Sequence, residues 1–114
     1  MLTPMNAKRH DLTAAMRPEP TSAGKSFLVR EPGLTQVLLT MAPGQGMPVH
    51  DHPGATVSIL GLVGQATVYL EGVPNPVKER ELISFPGEHQ VSPRNDSDAL
   101  AVVLITLAER VPSA

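Results

Sequence analysis

The chain has 114 residues, of which 41% are hydrophobic, so it can form a single domain around one modest core. Its formal net charge is −2, which provides no basic surface to hold nucleic acid or an anionic membrane by electrostatic attraction. The absence of cysteine excludes disulfides, thiolate nucleophiles and iron–sulfur clusters.

The N-terminal segment shows little hydrophobic periodicity and contains three prolines, and we expect an arm over 1–24 ahead of a single domain over 25–110. Asp11 can cap a short helical turn that places Leu12 and Met16 on one side. Charged residues at positions 8–11 interrupt the apolar stretch of a signal peptide, and no run reaches the ~20 apolar residues of a membrane span. We therefore predict a cytoplasmic protein.

Beyond the arm, glycine and proline divide the sequence into apolar stretches of strand length, which predicts an all-β fold. The segment 73–76, Val-Pro-Asn-Pro, is predicted as an edge connection because proline cannot donate a hydrogen bond to a sheet. The predicted strands are 25–30, 34–41, 49–52, 56–62, 65–70, 82–85, 90–92 and 99–107.

The last predicted strand, 99–107, is almost wholly apolar and is expected at the centre of a sheet, covered on both faces. A polar turn over 93–98 precedes it. Many short strands at even spacing indicate a sandwich or barrel, and the jelly roll is one arrangement that protects the sheet edges.

Two of the four histidines form the sequence His50-Asp51-His52. Residues two apart on a strand project from the same face, so both imidazoles are predicted to point into the barrel and Asp51 away from it. A buried imidazole needs a hydrogen bond or a metal ion as its partner. The alternative interpretation is a solvated pair on an exposed turn, which is common for histidine.

The surroundings of this pair resemble a known family. The segment 44–52, Gly-Gln-Gly-Met-Pro-Val-His-Asp-His, followed by Gly64, resembles the first cupin motif, in which glycine and five residues precede His-x-His. The segment 82–89, Leu-Ile-Ser-Phe-Pro-Gly-Glu-His, resembles the second motif, in which an apolar strand leads to a Pro/Gly turn and a third histidine. The resemblance covers about 25–107.

The resemblance implies an all-β fold of the cupin (RmlC-like) type, a jelly-roll β-barrel also described as a double-stranded β-helix. It implies a divalent metal ion, namely iron, nickel, zinc or manganese, bound by His50, His52 and His89. It also implies a homodimer, with a small-molecule ligand as the other partner.

Two departures from the cupin pattern concern the metal. In the family, three or four residues separate the second histidine from a glutamate, and at those positions this chain has Thr56 and Val57. Three neutral imidazoles leave the charge of a divalent ion uncompensated, which lowers affinity but keeps positions open for water, oxygen or substrate. In the second motif, two residues separate the glycine from the histidine, which places Gln90 at the ligand position. We expect His89 to be the ligand instead, because a turn can be one residue shorter without disturbing the strands beside it.

The stretch His50–Gly54 also resembles the histidine pair of thiol dioxygenases, cupins that hold iron with three histidines and no glutamate. This chain lacks the cysteine of their Cys–Tyr crosslink. The predicted function is a small metal-binding cupin acting on a small molecule, with a three-histidine dioxygenase as one form. The alternative, favoured by the missing glutamate, is a metal-free barrel that binds a small ligand or serves a regulatory role.

Overall fold

The structure is a computed structural model that describes residues 7–111, and the all-β prediction is confirmed within them. One short helix, α1, spans Leu12–Ala15, and no helix in this part of the chain is long and apolar enough to cross a bilayer. The eight strands are β1 Gly24–Glu31, β2 Leu34–Met41, β3 Ala55–Val63, β4 Ala66–Leu70, β5 Val73–Val77, β6 Leu82–Pro86, β7 Val91–Arg94 and β8 Ala101–Glu109.

The strands form two antiparallel sheets. The larger sheet has the order β1-β2-β8-β3-β6 and the smaller sheet the order β5-β4-β7. Strand β8 lies at the centre of the larger sheet, as its apolar sequence predicts, and its Ile105 pairs with Val37 of β2 and Ile59 of β3. Two isolated bridges, at Gly46 and His50, connect the loop after β2 to β7 of the smaller sheet.

Aliphatic side chains from both sheets fill the space between them. Alternate residues of each strand point inward, so that Leu39, Met41 and Val103 of the larger sheet are at most 1% exposed. They share one cluster with Val68 and Val91 of the smaller sheet. Burial of each such side chain stabilises the fold by about 1.5–3 kcal/mol, and this apolar core supports the walls on which the site is built.

Proline accounts for a correction to the predicted strands. The segment predicted as an edge connection forms β5, where Pro74 and Pro76 pair with Tyr69 and Thr67 of β4. Strand β5 lies at the edge of its sheet, so its outer side has no neighbouring strand that needs proline N–H groups. The predicted turn over 93–98 also begins too early, because its first two residues close β7.

The described part of the N-terminal arm packs against β1. The side chain of Asp11 accepts a hydrogen bond from the Ala14 N–H at 3.2 Å and caps α1, as predicted. A Cβ at Gly24 would lie 1.8 Å from the Arg17 carbonyl oxygen, so only glycine lets the arm approach the strand so closely.

Candidate functional site

His50 and His52 come together on the wall of one pocket of about 130 Å³. Their ring centres are 4.8 Å apart, and the ring planes are inclined by 84°. Asp51 is exposed, and its carboxylate accepts a hydrogen bond from Gln90 Nε2 at 3.3 Å. The two rings therefore share a side and the acid between them points away, as the sequence predicts.

The predicted strand over 49–52 is wrong, however. Only His50 forms a bridge, and the rest of the segment is irregular. Pro48 and Pro53 flank the histidines, and neither has an N–H group with which to extend a ladder.

The remaining wall of the pocket is mainly apolar. Side chains from β1, β2 and β8 form it together with one residue of the loop after β2: Phe27, Val37, Met47, Ile105 and Leu107. A wider cleft of about 300 Å³ adjoins it, because His52, Thr35 and Leu107 line both spaces. His52 thus stands between an apolar pocket and a more open cleft, while His50 faces the pocket alone.

The ring of His50 is held in one orientation by the backbone. Its Nδ1 atom lies 2.6 Å from the carbonyl oxygen of Pro48. Because a carbonyl oxygen only accepts hydrogen bonds, Nδ1 carries the proton and donates it, and Nε2 of the neutral ring keeps its lone pair. Histidines that bind metal are commonly fixed in this way through their second ring nitrogen.

His52 favours its neutral form. Burial lowers the pKa of the His52 imidazole, the nearby His50 ring lowers it further, and the Asp51 carboxylate opposes both effects. At neutral pH the ring therefore has a lone pair free for a metal ion or for a ligand that donates a hydrogen bond.

The backbone of His52 is held by the turn that follows β6. Its N–H donates to the Gly87 carbonyl oxygen at 2.7 Å, and its own carbonyl oxygen accepts from the Ala55 N–H at 3.2 Å. A Cβ at Gly87 would lie 2.1 Å from the His52 carbonyl oxygen, so a glycine is required for this close approach.

Glu88 and Arg110 brace the same loop, a support that the sequence analysis missed. Glu88 Oε2 accepts from the Gly54 N–H at 2.8 Å and from Arg110 Nη2, and Arg110 Nη1 donates to the Ala55 carbonyl oxygen at 2.7 Å. The bond from Arg110, followed by that from Gly54, lowers the pKa of Glu88 to about 2. No local spacing pattern links these residues, which are 22 positions apart.

His89 lies outside the pocket. Its side chain is 48% exposed, and its Nδ1 atom is 3.6 Å from Glu71 Oε1. Gln90, the alternative ligand, is also exposed and contacts Asp51. The structure thus brings two of the three predicted ligands together and places the third beside a carboxylate. Residues 7–111 contain no group of three or more histidine, aspartate or glutamate side chains arranged to hold a metal ion.

Val91 occupies the position across from His50. The two residues form an isolated antiparallel bridge, and the Val91 side chain is only 3% exposed within the core. Directly opposed residues in such a pair place their side chains on the same face. Of the residues at the expected glutamate position, Val57 is buried in the core and Thr56 is exposed.

The spacing of the two histidine rings is compatible with a shared divalent ion. With metal–nitrogen bonds of about 2.1 Å, two imidazole ring centres on one ion stand roughly 4.5–5.2 Å apart. The separation of 4.8 Å between the His50 and His52 rings falls in that range. Imidazole nitrogen suits zinc, iron and nickel. Since the described residues place no third side-chain ligand at the pair, water or a bound molecule would complete the coordination.

The two antiparallel sheets, packed around one shared core, have the jelly-roll arrangement of the double-stranded β-helix class. Residues 37–107 match the family model described as the cupin domain. The chain therefore belongs to the cupin family, and the predicted RmlC-like fold is confirmed.

Solved structures share this fold over nearly the whole chain. TT1209 from Thermus thermophilus has a TM-score of 0.84 at 23% identity, covering 92% of this chain and 100% of its own. A conserved protein with a double-stranded β-helix domain from Klebsiella pneumoniae has a TM-score of 0.83 at 15% identity, covering 91% of each chain. An RmlC-like cupin from Desulfovibrio desulfuricans has a TM-score of 0.80 at 24% identity, covering 90% of this chain and 97% of its own.

At these sequence identities the similarity shows a shared fold, and the function has to be argued from the residues of the site. No curated protein matches the sequence.

Proposed function

We propose that this cupin binds a small organic molecule in the pocket at His50 and His52, and that the pair holds a divalent metal ion whose coordination the molecule completes. The observation that carries the proposal is the convergence of two imidazole rings, 4.8 Å apart, on one mainly apolar pocket. An apolar cavity with a few convergent polar groups is the usual form of a small-molecule site. A bound divalent ion would supply Lewis-acid polarisation of the molecule's polar group.

The protein side of the site is already organised for binding. The Pro48 carbonyl orients the His50 ring, and the turn at Gly87 holds the backbone of His52. Little ordering of either histidine is then needed when a ligand arrives, which favours affinity. The side chains of Ile105 and Leu107 keep water from the apolar body of the ligand.

His89 is included in the proposal as a third ligand that would have to leave Glu71 to reach the ion. Its present contact with Glu71 Oε1 is long, at 3.6 Å, and both side chains are about half exposed, so little energy opposes that movement. A three-histidine dioxygenase needs this third ligand, and the effect of removing His89 therefore tests that stricter form of the proposal.

Metal affinity of single-histidine variants tests the proposal. Protein stripped with a chelator is titrated with Co²⁺, whose absorption spectrum reports imidazole coordination, and then with Zn²⁺. We expect His50→Ala and His52→Ala each to lose at least about tenfold in affinity. His10→Ala, which alters a histidine outside the pocket, serves as the matched control and should bind as the parent does.

Equal affinity of the His52→Ala and His10→Ala variants would refute the metal site. If His89→Ala binds as the parent does, the three-histidine form is wrong and a two-histidine site remains. A loss for His89→Ala that equals the loss for His50→Ala would establish the third ligand.

A metal-free binding barrel is the second candidate, and a specific observation favours it. The positions opposite His50 and after His52, from which further ligands would come, carry the apolar side chains of Val91 and Val57. In this case the two imidazoles would hydrogen-bond the ligand directly. Ligand binding that is unchanged by a chelator and is lost in the His50→Ala, His52→Ala double variant would support this candidate over the first.

We also propose that the chain forms a homodimer. Strand β6 is an edge of the larger sheet, and its Leu82 is 61% exposed. A free strand edge with an exposed apolar side chain favours pairing with a second chain. Sedimentation should show a dimer at micromolar concentration, and a monomer under those conditions would contradict the proposal.

A further inference from the structure

The charges around the histidine pocket are unbalanced. Among the described residues that line it, Lys25 alone carries a full charge, and none is acidic. Lys25 lies on β1, at the exposed edge of the larger sheet, where its aliphatic stem can follow the wall while its ammonium group stays near water. The pocket therefore combines an apolar interior with a positive rim.

A second cation stands at the same edge. The Arg30 guanidinium carbon lies 3.8 Å from the ring centre of Phe27, and Phe27 is one of the pocket residues. The register of β1 shifts between Phe27 and Val29, and this irregularity pairs Arg30 with Thr35, which also lines the pocket. Neither Lys25 nor Arg30 forms an ion pair with an acidic side chain of residues 7–111.

Acidic groups lie on the other side of His52. Glu31 and Glu109 line the adjoining cleft and do not line the histidine pocket. The two spaces thus differ in charge, and an anion is favoured in the pocket rather than in the cleft. Since few donors are present in the pocket, a single carboxylate suits it better than a phosphate, whose three charged oxygens would need more partners.

The volume of the pocket limits the rest of the molecule. An engineered protein cavity of about 150 Å³ holds benzene. The pocket beside His50 measures about 130 Å³ and is mainly apolar, so it suits a ring of that size or a short branched chain, part of which would project toward the opening.

From these observations we infer that the pocket binds small organic acids, with the apolar body against Val37 and Ile105 and the carboxylate at Lys25 on the rim. This inference rests on the proposed function and names its ligand class. Lys25 acts here as a specificity-determining residue, since it adds attraction for a negative charge without forming the apolar floor.

Three probes that share a ring and differ in charge test the inference, namely benzoate, benzyl alcohol and benzylamine. Binding to the whole chain is followed by NMR through the Met47 methyl group and the histidine rings, with chelator present and again with Zn²⁺. We expect benzoate to bind most tightly in both conditions. Because exposed ion pairs are weak, Lys25→Gln should lower benzoate affinity by about two- to fivefold and leave benzyl alcohol unchanged.

Two further variants serve as controls. Lys25→Arg keeps the charge and should keep the preference for benzoate, whereas Lys78→Gln removes a lysine that does not line the pocket and should change nothing. The preference should also shrink at high salt, since ions screen attraction at an exposed rim.

Equal affinity for benzoate and benzyl alcohol would overturn the inference and leave the proposed small-molecule site intact. An equal loss of both probes in Lys25→Gln would also overturn it, because a purely structural role of Lys25 would affect both ligands. Failure of all three probes to bind in the presence and absence of Zn²⁺ would count against the proposed function as well.

Discussion

Val91 lies directly opposite His50, and the N–H of each residue donates to the carbonyl oxygen of the other, at 2.8 Å from Val91 and 3.0 Å from His50. Opposed residues in an antiparallel pair share a face of the sheet. The barrel backbone therefore already provides a position for a third side chain at the histidine pair, and in this chain an apolar side chain occupies it.

Val91→His should strengthen metal binding. A third imidazole on the same face as His50 would complete the set of three protein ligands found in many catalytic sites. We expect Co²⁺ and Zn²⁺ to bind at least about tenfold more tightly, a change of ~1.4 kcal/mol. Without metal the variant should be less stable by about 1–3 kcal/mol, since a polar ring replaces a buried aliphatic side chain, and added metal should restore part of that loss.

Gln90→His is the matched control for this experiment. It introduces the same side chain one residue earlier, on the exposed side where Gln90 contacts Asp51. Metal affinity should stay at the parent value. If Gln90→His strengthens binding as much as Val91→His does, the assignment of faces around His50 is wrong.

His52 should make the metal-free protein sensitive to mild acid. Burial holds its pKa in the folded chain below the ordinary value of 6.5. As the pH falls below that value, the unfolded chain takes up a proton at this residue and the folded chain resists it, so the contribution to stability is complete above about pH 6.5 and declines below it.

Urea unfolding measured from about pH 7 to about pH 5 in the presence of a chelator should show this decline. His52→Gln should flatten it, and His10→Gln, which alters the arm, should keep the parent slope. Parallel slopes for the parent and His52→Gln would contradict the assigned cause.

Strand boundaries could be predicted from the sequence where a glycine with positive φ ends a strand. Gly33 and Gly72 lie between predicted strands and adopt φ values of 81° and 78°, the left-handed region that favours glycine. Strand β2 accordingly has its predicted bounds, Leu34–Met41. The edge strand β5 could not be recognised, because the effect of its prolines depends on whether a neighbouring strand lies on the outer side.

The site could be predicted only as far as local geometry extends. The shared side of His50 and His52 agrees with the alternation of a strand, although only His50 forms a bridge and the rest of the segment is irregular. The direction of His89 depends on the course of a turn whose Gly87 packs on the backbone of His52, and that tertiary contact has no local pattern. The placement of Arg30 similarly depends on a register shift in β1.

Arg110→Gln should bring the titration of Glu88 back toward its ordinary range. In the parent, the bond from Arg110 is the main cause of a Glu88 pKa of about 2, against an ordinary value of 4.5. Because the folded pKa is the lower one, the stability contribution is present above about pH 4.5 and is lost as the pH falls toward 2. Carboxyl NMR of Glu88 measures the shift directly.

The same substitution also tests the support of His52. Arg110 donates to the carbonyl of Ala55, beside the loop that carries His52, so Arg110→Gln should weaken Co²⁺ binding while Arg9→Gln, in the arm, should not. A Glu88 carboxyl that titrates near 4.5 in the parent protein would exclude the proposed bracing.

Asn95 should be among the most sensitive polar positions of the fold. It is 0% exposed, and its amide donates to the carbonyl oxygens of Met41 at 2.9 Å and Ala99 at 2.7 Å. Its Oδ1 atom accepts from the N–H and hydroxyl of Ser97 at 3.0 and 2.6 Å. These bonds tie the end of β2 to the loop that enters the central strand β8.

Asn95→Ala removes both amide donors and leaves the Met41 carbonyl oxygen without this buried bond, whereas the exposed Ala99 keeps a contact from the Ser97 hydroxyl at 3.0 Å. We expect a loss of about 2–4 kcal/mol in the free energy of unfolding, measured by urea denaturation. Ser97→Ala removes only one side of the network, near its exposed end, and should cost about 1 kcal/mol. Equal free energies of unfolding for the two variants would contradict this prediction. The bonds that Asn95 donates to Met41 and Ala99 would then add nothing to the contact with the Ser97 hydroxyl.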